Sequence, residues 1–208
     1  MESGEGKVTG MLCKAALWVF HPLLVPVWLL LALFATGIMP IYLRPAVRTY
    51  ILAVVVVDTL VVPMLAMALL GIFGLVGRGA PANRAMTLKV LVAMLCYGMC
   101  GWMLDFSPML FMLRRMMFAA AACSLYGLVL YQWRQSSSHM IAMGGAMGVV
   151  SILMYGGYPG LLWVFCCTAL CGGVTGSALL RVGRDTLAGE AAGFAGGFVI
   201  AAAVLLLG

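Results

Sequence analysis

The residues of this chain best suited to chemistry lie in Trp133–Gly148, WRQSSSHMIAMGGAMG. There Arg134, Ser136, Ser137, Ser138 and His139 precede a Gly-rich apolar run. A helix N-terminus offers unpaired backbone N–H groups and the positive end of the helix dipole, so it attracts anions. The serine hydroxyls add donors, Arg134 adds a fixed charge, and His139 can carry or release a proton near neutral pH. The chemistry this combination suits is recognition of an oxyanion with a proton donor at hand. A purely structural role is the alternative, because serine is a favoured N-cap and arginine beside Trp133 is an ordinary membrane-edge anchor.

Two more stretches carry charge in comparable positions. GRGAPANRAM holds Arg78 and Arg84, and LRVGRDT holds Arg181, Arg184 and Asp185. Asp58 stands alone in VVVVDTLVVP, where an ionised carboxylate is costly and commonly functional; a helix-bonded carboxyl near a Pro63 kink is the structural alternative. His21, beside Pro22, reads first as a packing residue, and its depth relative to Asp58 makes the two poor partners.

The elements that must position these groups follow from composition. The 208 residues are 65% hydrophobic and 9% charged, with a net charge of +6 and a mean hydropathy of +1.14. Soluble domains carry about 25% charge, so the chain is a polytopic membrane protein. The all-α fold expected is one transmembrane bundle of six to seven helices over residues 14–208, after a short tail, 1–13. A span needs about 20 apolar residues. The hydropathy pattern predicts helices over Lys14–Gly37, Tyr50–Gly77, Thr87–Leu104, Leu110–Trp133, His139–Gly156, Leu161–Leu180 and Thr186–Leu207.

Seven spans bring the connections holding Arg78 and Arg84, Arg134–His139, and Arg181–Asp185 to one membrane face. Arg44, Arg48, Asp105, Arg114 and Arg115 lie opposite. The positive-inside tendency accounts for part of this asymmetry and leans toward an N-terminus inside, as in a multi-pass protein of a bacterial inner membrane. The seven cysteines lie almost entirely within apolar runs and lack paired C-x-x-C spacing, so no metal or cofactor is expected. Glycines recur at four-residue spacing: Gly144 and Gly148; Gly172 and Gly176; Gly189, Gly193 and Gly197. That spacing predicts close helix packing, with a homo-oligomer face as the alternative.

HPLLVP at His21, SSSHMIAMGG at Ser136 and GRDTLAGEAAGFAGGF at Gly183 together resemble the type 2 phosphatidic acid phosphatase superfamily, in particular its short bacterial integral-membrane branch. The family carries Lys-x6-Arg-Pro, Pro-Ser-Gly-His and Ser-Arg-x5-His-x3-Asp motifs on three loops of one face. The resemblance implies a phosphate held by basic residues, a second-motif histidine that protonates the leaving group, and a third-motif histidine that attacks phosphorus. Ser137 and His139 match the phosphate-contacting serine and the general acid. Arg78 and Arg84 are basic in the first-motif loop, but one residue too closely spaced and without a following Arg-Pro. Asp185 stands in place of the nucleophilic histidine; Leu179 stands in place of the arginine, with Arg181 two residues late; Gly189 stands in place of the aspartate, with Glu190 one beyond. Asp185 can instead cap the last helix and pair with Arg181.

The resemblance thus implies a phosphate site, formed by Arg78, Arg84, Arg134, Ser137, Ser138, Arg181 and Arg184 with His139 and Asp185 as candidate catalytic residues. The function expected is binding of a membrane lipid through its anionic phosphate headgroup, with hydrolysis weak or absent. Active hydrolysis of a lipid phosphate ester or pyrophosphate by His139 is the alternative. A small channel or transporter is a third reading, without an internal repeat to support it. No nucleic-acid partner is expected.

Overall fold

The computed structural model describes residues 2–38, 44–76, 82–106, 110–133, 138–183 and 186–207, and among these the chain is helical with no strand. Its helices are α1 (Glu2–Val19), α2 (Val25–Ala35), α3 (Pro45–Val56), α4 (Val62–Ile72), α5 (Ala82–Met103), α6 (Phe111–Trp133), α7 (Ser138–Tyr155), α8 (Leu162–Val182) and α9 (Leu187–Leu207). Six stretches are long and apolar enough to cross a membrane: Pro45–Ile72, Arg84–Met103, Phe111–Tyr131, Ser138–Tyr155, Leu162–Val182 and Leu187–Leu207. The outward surface is correspondingly apolar, with Ile72, Trp102 and Leu170 among its most exposed side chains. The protein is a multi-pass membrane protein.

The span expected over Lys14–Gly37 is not one helix. It breaks between α1 and α2, because Pro22 and Pro26 lack the N–H groups a continuous helix would use. Residues 21–24 form a tight turn instead: the His21 carbonyl accepts the Leu24 N–H at 2.8 Å and the Val25 N–H at 3.3 Å. The His21 Nδ1 accepts the Leu23 N–H at 3.3 Å. The shorter apolar helix that follows, α2, rises only about 16 Å, roughly half a bilayer's hydrocarbon thickness.

The turn is pinned by side chains from three other places. Trp28 donates its indole N–H to the Val19 carbonyl at 3.1 Å, and the Tyr97 hydroxyl of α5 donates to the Pro22 carbonyl at 3.2 Å. His139 of α7 lies with Nε2 3.2 Å from the Leu17 carbonyl. Since a carbonyl only accepts, His139 donates here.

The second long span contains a π-helical turn, Val57–Val61, between α3 and α4. Pro63 cannot donate to the carbonyl four residues back, and the ladder widens just before it, the Val62 N–H reaching the Val57 carbonyl. Asp58 and Thr59 are buried in this widened turn, and Asp58 lies near Cys100 of α5. The expected Pro63 irregularity is thus a π turn, and Asp58 does not meet His21.

The glycine spacing of the last helices is used inside the chain. A Cβ at Gly144 or Gly148 of α7 would meet the backbone of Phe194 or Phe198 on α9, and one at Gly197 would meet the Ile141 carbonyl. The two helices therefore touch backbone to backbone. At the opposite end from His139, Arg114 pairs with Asp105. Arg115 there lies 3.8 Å over the Phe111 ring and donates to the Leu205 carbonyl at 2.9 Å.

Candidate functional site

At the end of the bundle where α5 and α7 begin and α6 ends, the polar groups gather at the mouth of a cavity of about 500 Å³. Its floor and walls are apolar, formed by Leu29, Pro63, Met116, Met117, Ile141 and Val149. From Ser138 to Val149 it follows α7 for roughly 16 Å, toward the middle of the bilayer. Its volume lies in the range of ordinary ligand pockets. Small residues keep it open: Ala93, Ala119, Ala120, Ala142, Gly145 and Ala146 all face it.

Apart from Tyr97 and Ser124, whose hydroxyls bond to the Pro22 and Ala120 carbonyls, the polar lining is concentrated at one end. His21 comes from the α1–α2 turn, Lys89 from the second turn of α5, and Ser138 from the first turn of α7. Among the described residues no aspartate or glutamate lines this cavity. The His21 ring meets the His139 ring edge to face, with centroids 5.6 Å apart and planes at 83°. The His21 ring is oriented by the amide of Leu23 at Nδ1. A neutral imidazole that accepts at one nitrogen carries its proton on the other, so His21 presents Nε2–H as a donor. The site can thus offer a cation, a hydroxyl and the His21 imidazole to an oxyanion, with a mostly apolar channel behind them, while the His139 Nε2–H is spent on the Leu17 carbonyl.

Of the residues expected from sequence, Ser138 is half-buried and lines the cavity, while His139, also half-buried, does not line it and meets it only through the His21 ring. Arg84, in the first turn of α5, and Arg181, in the last turn of α8, are exposed, and neither lines the cavity. Arg78, Arg134, Ser137, Arg184 and Asp185 lie outside the described residues. The side-chain cap of α9 is Thr186, whose Oγ1 accepts the Gly189 N–H at 3.1 Å. Gly183 ends α8 with φ of 67°, its N–H returning to the Leu180 carbonyl at 3.1 Å, a left-handed C-terminal cap that suits glycine.

Three further residues stand at this end. The sequence gives His21 a packing role and gives Lys89 no part in the site. Glu190 stands one residue beyond Gly189. It is 3% exposed, and its carboxylate fits where Gly176 of α8 has no side chain, beside Met140 of α7. A lone acid in an otherwise apolar helix is the signal that could have found it.

No protein-family model, curated protein or solved structure matches this chain. The fold and the site therefore rest on the chain's own residues.

Proposed function

We propose that this membrane protein binds a lipid bearing a terminal phosphate, the hydrocarbon chain in the cavity between α2, α5, α6 and α7 and the phosphate at its mouth. The observation that carries this reading is the segregation of the lining: Lys89, His21 and Ser138 lie at one end, and along the mostly apolar rest the hydroxyls of Tyr97 and Ser124 are already bonded to the Pro22 and Ala120 carbonyls. A phosphate gains charge-assisted hydrogen bonds there, and a chain gains burial without displacing any described carboxylate. The HPLLVP, SSSHMIAMGG and GRDTLAGEAAGF stretches support descent from type 2 phosphatidic acid phosphatases, whose ligands share this chemistry. Asp185 in place of the nucleophilic histidine favours binding over turnover.

Hydrolysis is a second reading, favoured by the contact of two imidazoles, since phosphoryl transfer through a covalent intermediate uses a nucleophile and a separate acid.

The test is binding of dodecyl phosphate, dodecylphosphocholine and inorganic phosphate to protein in phosphatidylcholine nanodiscs, with phosphate release followed in parallel. Dodecyl phosphate binds best of the three. Lys89→Ala weakens it about tenfold or more, the worth of one charge-assisted bond. Ala142→Phe, which fills the channel, abolishes it. Equal affinity for the phosphate and phosphocholine amphiphiles, unaffected by Lys89→Ala, overturns the reading. Phosphate release abolished by His139→Ala replaces binding by hydrolysis.

A further inference from the structure

We infer that His21 is a ligand-binding residue of the same site, donating Nε2–H to the phosphate from the α1–α2 turn. This rests on the lipid-phosphate reading above and adds a residue that the three phosphatase-like motifs do not include as a phosphate contact.

Four observations converge on it. His21 lines the mouth together with Lys89 and Ser138. Its ring lies against His139 at 5.6 Å, edge to face, so both imidazoles belong to one polar cluster. Its Nδ1 is occupied by the Leu23 N–H, which directs the ring proton to Nε2. The turn that carries it is held by Tyr97 and Trp28 at the Pro22 and Val19 carbonyls, and by His139 at the Leu17 carbonyl. A ring kept in one orientation and one tautomer, in a cavity mouth whose described lining has no acid, is a preorganised donor for an anion. A packing histidine has no need of either constraint at an exposed mouth.

The two nitrogens can be tested separately. His21→Asn keeps an acceptor for the Leu23 N–H, because an asparagine side chain bonds its own backbone two residues on, and it removes the Nε2–H. His21→Gln loses that acceptor but reaches the Nε2 position with an amide N–H. If His21 binds phosphate, His21→Asn melts like the wild type and binds dodecyl phosphate about tenfold or more weakly. His21→Gln then recovers much of the affinity, even with a lowered melt. If His21 only shapes the turn, the order reverses: His21→Asn binds like the wild type and His21→Gln does not.

A second readout is independent of mutation. The chain has two histidines, so ring ¹⁵N labelling gives the signals of two residues only. Dodecyl phosphate shifts the His21 Nε2 resonance while Nδ1 keeps its acceptor character; no shift at saturation overturns the proposal. Binding that is weakened by Lys89→Ala but indifferent to His21→Asn removes His21 and leaves the lipid-phosphate reading standing. Absence of any wild-type binding removes both.

Discussion

Gly144→Ala will destabilise the bundle, and a second glycine provides its control. A Cβ at Gly144 would fall on the Phe194 carbonyl, 2.8 Å from its carbon and 2.9 Å from the Phe194 Cα. These are backbone atoms inside α9, so no side-chain rotation relieves the clash and the helices must separate. Overpacking a filled core costs about 1–3 kcal/mol, and an immovable neighbour puts this site near the upper end. Alanine recovers about 1 kcal/mol over glycine through helix propensity, leaving a net loss of about 2 kcal/mol. Gly173, on α8, has nothing within 4 Å of its would-be Cβ, so Gly173→Ala gains the propensity and meets no obstacle. The pair should differ by about 3 kcal/mol with opposite signs, measured as unfolding by SDS titration in mild detergent. A Gly144→Ala protein as stable as Gly173→Ala would refute the backbone-to-backbone contact.

Other perturbations read other parts of the molecule. Tyr97→Phe removes the donor to the Pro22 carbonyl and costs about 1 kcal/mol, visible as a lowered melt and faster proteolysis near residues 20–24. Arg115→Ala loses both the ring contact with Phe111 and the charged bond to the Leu205 carbonyl, for about 2 kcal/mol. Asp105→Asn, which breaks an exposed ion pair with Arg114, costs less than about 1 kcal/mol, and the difference from wild type shrinks at high salt. If Arg115→Ala proves the milder of the two, the closing of the α6–α9 end described above is wrong.

Hydropathy disclosed the spans because a bilayer demands one long apolar helix after another, and six of the seven expected stretches are such helices. It overlooked the break at His21–Leu24, since a window average sees apolar residues and not the missing N–H groups of Pro22 and Pro26. Pro63 announced an irregularity, but the choice of a π turn over a simple kink depends on how α5 packs beside Asp58. Gly144, Gly148 and Gly197 announced close contact, while their partners on the facing helix are set by register. At the site, Ser138 and His139 were legible from local pattern. The meeting of His21 with His139 was not, because it joins distant parts of the chain through a turn where hydropathy predicts helix. Lys89 was legible only as a charge, and its place at the cavity mouth follows from how α5 lies beside α7.

The pinned turn between α1 and α2 also sets an order of assembly. Its Pro22 and Leu17 carbonyls take their partners from Tyr97 and His139, which are synthesised much later. A nascent chain that has delivered only its first helices therefore lacks the groups that fix them. By these contacts the amino-terminal segment can complete its docking only once α7 has been made. Cysteine cross-links between residue 22 and α5 should accordingly form only in chains extended past Tyr97, and those between residue 17 and α7 only in chains extended past His139.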